Sequence, residues 1–154
     1  MTLAAGGIVR GNDLILPDRV SAHANGVNTI TATSFTDLPT IACAVSITNP
    51  HATANMLVKV DCGAWINTST IACRVCPRIS GALTVAAGIG SNAPTGYGQL
   101  IRAVGNYEQY SMGYYVELPS GTSTFTVQAY RESASTTVQV NYATLDINPL
   151  RYIF

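Results

Sequence analysis

Alternation of apolar and polar residues is the feature that most constrains the fold of this chain. In the segment NMLVKVDC, residues 55–62, every second position is apolar, while Lys59 and Asp61 fall between. Successive side chains of a β-strand point to opposite faces, so the pattern indicates a strand with one buried face. The same alternation recurs in segments 40–48, 70–76 and 123–131, whereas no window shows helical spacing with caps.

Weaker strand patterns cover residues 27–34, 98–104 and 109–118, and a final pattern covers residues 136–147. The final one changes parity, which predicts a β-bulge near Tyr142. The pair Asn25-Gly26 is typical of a hairpin turn. About eight short strands with regular turns predict an all-β fold, an antiparallel β-sandwich of the eight-stranded jelly-roll type. We predict an extended N-terminal arm over residues 1–24 and the sandwich domain over 25–154.

The charge pattern excludes whole classes of partner. Only 10% of the residues are charged, the formal net charge is zero, and Lys59 is the one lysine. Proteins that bind nucleic acid need clustered cations, and the seven arginines are scattered singly, so no nucleic-acid partner is expected. Thr, Ser and Asn, about a quarter of the chain, supply the polar surface. The chain shows neither a secretory signal nor an apolar run of about 20 residues, so we expect no membrane partner and folding in a cytoplasm.

Residues that could carry catalysis or hold a metal are isolated from one another. Cys73 and Cys76 have the spacing of a zinc knuckle, but they lie in a strand pattern, where positions three apart face opposite ways. We therefore expect Cys43, Cys62 and Cys73 to be reduced core residues and not metal ligands. His23 and His51 lie beside turn signals and are interpreted as solvated loop residues. The acidic residues are dispersed. We predict no enzyme activity, no metal site and no cofactor.

Aromatic residues form the one cluster that suggests a binding surface. Five tyrosines fall between residues 97 and 115, and the single tryptophan, Trp65, lies in a neighbouring strand. Tyrosine and tryptophan are enriched at interfaces and also stack on sugar rings. We therefore select Trp65, Tyr97, Tyr107 and Tyr110 as candidate interface or ligand-binding residues. The alternative is that tyrosine simply favours strands.

The first twenty residues include apolar side chains that an arm of this size cannot bury by itself. These are Ile8, Leu14, Ile15 and Leu16, between Gly6-Gly7 and Pro17. Since exposed apolar surface is unfavourable in water, we expect these four residues to dock on a neighbouring molecule.

The C-terminal third resembles a known group of proteins. Between Tyr115 and Leu150 a strand ends in L-P-x-G, a strand F-x-V-Q-A follows, and the closing strand carries an I-x-P-L tail. The matching positions are Leu118, Pro119, Gly121, Phe125, Val127, Gln128 and Pro149. The segment resembles small jelly-roll proteins of tailed-phage virions and is similar to trimeric tumour-necrosis-factor-like and complement-type sandwiches. The arm segment DLILPDR resembles the arms by which such virion proteins hold their neighbours.

The resemblance implies a virion protein that acts by assembly and binding. The first hypothesis is a homotrimeric phage capsid decoration protein whose partners are copies of itself and the major capsid protein. The second is a receptor-binding module of a tail or fibre tip that recognises host surface glycans. The third is a soluble trimeric ligand of the tumour-necrosis-factor type.

Overall fold

The computed structural model describes residues 15–68, 73–87, 99–101, 107–134 and 138–154. Over these ranges the chain forms β1 (Val20–Ile30), β2 (Thr36–Asp37), β3 (Ala44–Asn49), β4 (Asn55–Thr68), β5 (Cys73–Gly81), β6 (Gln99–Ile101), β7 (Tyr107–Leu118), β8 (Gly121–Arg131) and β9 (Val138–Ile153). One sheet has four strands in the order β1-β9-β4-β7. In the second sheet β8 pairs with β2, β3 and β5, and β6 pairs with β5. The predicted all-β antiparallel sandwich is confirmed, and this strand order is that of a jelly roll.

The core lies between the two sheets and is built from the residues that the alternation assigned inward. Val58, Val60 and Cys62 of β4 are buried, as are Phe125 and Val127 of β8. Each fully buried side chain of this size stabilises the fold by about 1.5–3 kcal/mol. The opposite face of β4 is free to carry polar groups, and it becomes the floor of the candidate site described below.

The bulge predicted in the last strand is confirmed. Along β9, Tyr142 and Val140 pair with the adjacent residues Trp65 and Ile66 of β4, so Asn141 is the extra residue. The extra residue returns Val140 and Ala143 to the same buried side and turns Tyr142 toward the outer face.

The prediction of a hairpin at Asn25-Gly26 is wrong. Both residues lie inside β1, where the register with β9 shifts between Asn25 and Asn28. Gly26 has a φ of 147°, and a Cβ there would lie 2.5 Å from Cδ1 of Ile41. The need for positive φ therefore comes from a strand irregularity and not from a turn.

The N-terminal segment joins the sandwich earlier than the predicted boundary. β1 begins at Val20, so the four-stranded sheet takes in five residues that were assigned to the arm. Leu16 packs against the core. Ile15 is exposed, and its carbonyl accepts a hydrogen bond from the Tyr152 hydroxyl at 3.1 Å. Ile8 and Leu14 lie outside the described residues.

Asn28 ties the loop that precedes β3 to the first strand. It is fully buried, and its Oδ1 accepts hydrogen bonds from the backbone N–H groups of Thr40 and Ile41, both at 2.9 Å. The side chain thus takes the place of a strand partner for these two donors.

We expect Asn28→Ala to lower the free energy of unfolding by about 1–3 kcal/mol, because both donors lose their acceptor. Urea unfolding of the variant measures the loss. Asn25→Ala, at an exposed position of the same strand, is the matched control and should change stability by less than about 0.5 kcal/mol. Equal stability of the two variants would contradict this role for Asn28.

None of the four cysteines, Cys43, Cys62, Cys73 and Cys76, forms a disulfide, and all four are buried. Among the described residues, no three His, Cys, Asp or Glu side chains come together in a way that could hold a metal ion. Burial raises the pKa of Cys43 from 9.0 to about 11 and that of Cys73 to about 12. Burial also raises the pKa of Cys62.

We expect the native cysteines to resist alkylation at pH 8, since the thiolate is the reactive form and a raised pKa keeps it scarce. Mass spectrometry after iodoacetamide treatment, with and without denaturant, measures this; rapid labelling of Cys43, Cys62 or Cys73 in the native protein would contradict it. The same shifts make the free energy of unfolding fall as pH rises from about 9 toward 11, because the unfolded thiols lose protons first.

Candidate functional site

The outer face of the four-stranded sheet carries a shallow depression of about 250 Å³. Its centre is formed by the outward-facing residues of β4, β7 and β9, which the antiparallel register brings into rows. The lining residues are Asp61, Cys62, Gly63, Gln109, Ser111, Met112, Gly113, Thr144 and Asp146. Cys62 belongs to the core and Met112 packs against it. Apart from these two residues and the two glycines, all of the lining side chains are hydrogen-bonding groups.

Two glycines form the floor of the depression. A Cβ on Gly63 would lie 2.7 Å from Oγ1 of Thr144, and a Cβ on Gly113 would lie 2.8 Å from Oδ1 of Asp61. The Thr144 hydroxyl and the Asp61 carboxylate therefore lie directly above the backbone of these two glycines. Any other residue type would place a Cβ atom in the same space. Glycine weakens a strand interior, and its presence there often marks a close approach of another group.

Exposed aromatic side chains lie at both ends of the depression. The Trp65 side chain on β4 is 47% exposed and makes an edge-to-face contact with Tyr142, with ring centroids 6.2 Å apart and an interplanar angle of 63°. Tyr115 on β7 is 60% exposed and pairs with Lys59. Lys59 and Trp65 are six residues apart on one strand, so the two aromatic ends are about 20 Å apart.

Two carboxylates face each other in the middle of this surface. Asp61 and Asp146 are directly paired across β4 and β9. Lys59 Nζ lies 2.9 Å from Oδ2 of Asp61, and Arg19 Nη2 donates to Oδ1 of Asp146 at 2.6 Å. Like charges placed opposite each other destabilise a sheet, and the two cations offset that repulsion. Because all four side chains are partly exposed, the ion pairs add little to stability.

This arrangement suits the recognition of a long, polar, uncharged molecule with apolar faces. Carboxylate, amide and hydroxyl groups in the depression hydrogen-bond to polar substituents. The aromatic groups at the two ends offer flat apolar surface. A chain of sugar rings presents both kinds of surface, with hydroxyl groups around each ring edge and C–H groups on its faces.

The residues selected from the sequence do not all belong to this site. Trp65 lies at one end of it, next to Gln109, its partner on β7. Tyr110 is buried in the core and therefore cannot stack on a ligand. Tyr107 begins β7, and Tyr97 lies outside the described residues.

Sequence reasoning missed most of the site. It placed Lys59 and Asp61 outward but gave them no function, and it did not select Gly63, Gly113 or Asp146. The signal in the sequence was Gly113 at an outward position inside the 109–118 pattern and Gly63 directly after the 55–62 pattern. His23, expected in a loop, lies in β1 opposite Thr144, at the border of the same surface. His51 contacts the rings of Tyr152 and Phe154.

Within the described ranges no helix is long and apolar enough to cross a membrane. No protein-family model matches the chain, and no curated protein matches it in sequence.

Solved structures with distant likeness differ in function. One is the carbohydrate-binding module TmCBM61 in complex with β-1,4-galactotriose, with 11% identity and a TM-score of 0.36, covering 86% of this chain and 88% of that one. Another is the enzymatically active domain of bacteriophage CBA120 tailspike protein 4, with 10% identity and a TM-score of 0.33, covering 86% and 19%. A third is a structure of infectious bursal disease virus, Gx strain, with 8% identity and a TM-score of 0.37, covering 86% and 33%. The chain thus spans a fifth to a third of the length of the two viral chains.

Proposed function

We propose that this protein binds carbohydrate on the outer face of its four-stranded sheet. The observation that carries the proposal is the glycine-floored depression, which lies between Trp65 and Tyr115 and holds Asp61 and Asp146 at its centre. Glycine at two outward strand positions lowers strand stability. A ligand that contacts the backbone at Gly63 and Gly113 would explain why glycine is present there. The exposed rings of Trp65 and Tyr115 offer flat apolar surface on which the faces of sugar rings could stack.

This function corresponds to the second hypothesis of the sequence analysis, a receptor-binding module that recognises host surface glycans. It is favoured over capsid decoration because the site is fully contained in one chain. The decoration hypothesis relies on the arm, where Leu16 packs on its own domain. We propose that the protein binds glycan without cleaving it. In support, Asp61 and Asp146 are each held by a neighbouring cation.

The proposal is tested by electrophoresis of the native protein through gels that contain single polysaccharides, from plant, algal and bacterial cell-surface sources. We expect at least one polysaccharide to retard the protein, and titration with an oligosaccharide of that polymer to change the fluorescence of Trp65. Trp65 is the single tryptophan of the chain, so its emission reports on the site alone. Unretarded migration in every gel, with unchanged emission, would contradict the proposal.

A homotrimeric assembly is a second proposal, favoured by a separate observation. Apolar side chains remain exposed where the arm meets the end of β9: Ile15 is 63% exposed and Phe154 is 79% exposed. The number of three subunits comes from the resemblance to trimeric sandwiches, and these two exposed side chains are where we expect contacts between subunits to lie. Sedimentation equilibrium at micromolar concentration should give three times the chain mass of 16.2 kDa, and a mass of one chain would contradict self-assembly in solution.

A further inference from the structure

The facing carboxylates have a consequence for the kind of sugar chain that fits. Asp61 and Asp146 are cross-strand neighbours, whose Cβ atoms are typically about 4.5–5.5 Å apart. Their ion pairs use Oδ2 of Asp61 and Oδ1 of Asp146. Oδ1 of Asp61 lies instead over Gly113, on the floor of the depression. The centre of the site therefore presents carboxylate oxygens to whatever occupies it.

An ionised carboxylate accepts hydrogen bonds and donates none. A ligand seated over Asp61 and Asp146 must therefore bring donors, and the hydroxyl groups of a sugar are donors of the right kind. A carboxylate or sulfate substituent on the ligand brings no donor, and it would meet Oδ1 of Asp61, which the ion pair with Lys59 leaves open, at the short distance where repulsion between anionic oxygens is strongest.

The two flanking cations decide between neutral and cationic ligands. Lys59 and Arg19 already occupy one oxygen of each carboxylate, at 2.9 Å and 2.6 Å. An ammonium group on an amino sugar would have to compete with both of them for the same oxygens. A neutral hydroxyl needs only the oxygen positions that the ion pairs leave open, and it disturbs neither pair.

We infer that the site selects neutral, hydroxyl-rich sugar chains and excludes acidic ones, and that Asp61 and Asp146 impose this selection. The inference rests on the proposed carbohydrate function. It names the substrate class of that site and the two residues that determine it.

The test compares three forms of one polymer, the neutral polysaccharide that binds best. The second form has its primary hydroxyl groups oxidised to carboxylates, and the third carries amino groups in their place. At low salt we expect the oxidised form to bind at least about tenfold more weakly, and added salt to narrow the difference, because screening weakens charge repulsion. The aminated form should bind no better than the neutral one.

Variants of Asp61, Asp146 and Lys59 test whether these residues impose the discrimination against acidic sugar chains. The double variant Asp61→Asn, Asp146→Asn keeps the side-chain shapes, so it should remain folded, bind the neutral form more weakly, and lose most of its discrimination against the oxidised form. Lys59→Gln leaves the Asp61 charge without its partner and should shift preference toward the aminated form. Thermal melting of each variant checks the fold.

The experiment distinguishes failure of the proposed selection from failure of the proposed carbohydrate binding. Equal binding of neutral and oxidised forms, preference for the aminated form by the unmodified protein, or unchanged discrimination in the double variant would overturn the selection while leaving carbohydrate binding intact. If no neutral polysaccharide binds, both the selection and the proposed function are overturned.

Discussion

Replacing Trp65 with alanine is expected to lower affinity for the bound sugar chain by about 30-fold or more, while the protein stays folded. The indole is 47% exposed and packs edge-to-face on Tyr142, so its ring is oriented before the ligand arrives. Aromatic anchors of this kind typically contribute about 2 kcal/mol or more to binding, which corresponds to the 30-fold loss. Isothermal titration with the oligosaccharide identified in the gel assay measures the effect.

Phe154→Ala is the matched control for this variant, since it removes an aromatic side chain that is 79% exposed and lies away from the depression. It should bind sugar as the unmodified protein does. If Trp65→Ala retains full affinity, or if Phe154→Ala loses as much, the outer face of the four-stranded sheet is not the binding surface.

Gly113→Ala should weaken sugar binding by about tenfold or more while leaving stability unchanged or slightly higher. The new Cβ would meet Oδ1 of Asp61 at 2.8 Å and displace that carboxylate from the floor, so the ligand loses a hydrogen bond to a charged group, worth about 1.5–3 kcal/mol. Alanine is favoured over glycine in a strand interior by about 0.5–1 kcal/mol. For the same variant, titration should therefore give a lower affinity for sugar, and urea unfolding should give an equal or higher free energy of unfolding.

A loss of affinity without a loss of stability distinguishes a glycine that serves binding from one that serves the fold. Glu117→Ala, on the outward face of the same strand and outside the depression, should leave affinity unchanged. A Gly113→Ala protein that binds sugar normally would show that the ligand does not contact the backbone at Gly113. A variant that unfolds easily would show that Gly113 serves the fold.

The alternation of apolar and polar residues was sufficient to predict the sandwich because the inward positions of its long strands are mostly apolar and buried. Along β4 the buried positions alternate from Met56 to Ile66 without an exception. The parity change in β9 was enough to predict a bulge near Tyr142, and the register places the extra residue at Asn141. These features are local, since each depends on the order of residues within one strand. The hairpin predicted at Asn25-Gly26 was wrong because positive φ at a glycine serves a bulge as well as a turn.

The site could not be predicted in the same way because it depends on which residues stand opposite each other. Asp61 and Asp146 are 85 positions apart in the sequence, and only the register between β4 and β9 makes them neighbours. A slip of one residue would turn every outward side chain of a strand inward. The alternation identifies the outward residues, but it does not give the partner strand or the register.

The same reason explains the mixed outcome for the aromatic residues. Tyr114 and Tyr115 are adjacent in the sequence, yet Tyr114 is buried and Tyr115 is 60% exposed. Burial raises the pKa of the Tyr114 phenol. Of the tyrosines in β7 whose side chains the structure describes, Tyr110 and Tyr114 are buried and Tyr115 is exposed, and only the parity of the strand assigns each of them to core or surface.

The most direct test of the account is an NMR titration of ¹⁵N-labelled protein with the neutral oligosaccharide identified in the gel assay. Carbohydrate binding on the outer face predicts shifts that saturate together at the backbone amides of Asp61, Gly63 and Gly113 and at the Trp65 indole. The amides of β3 and β8, on the second sheet, should remain unshifted. Shifts confined to β3 and β8, or no saturable shift on β4 and β7, would contradict it.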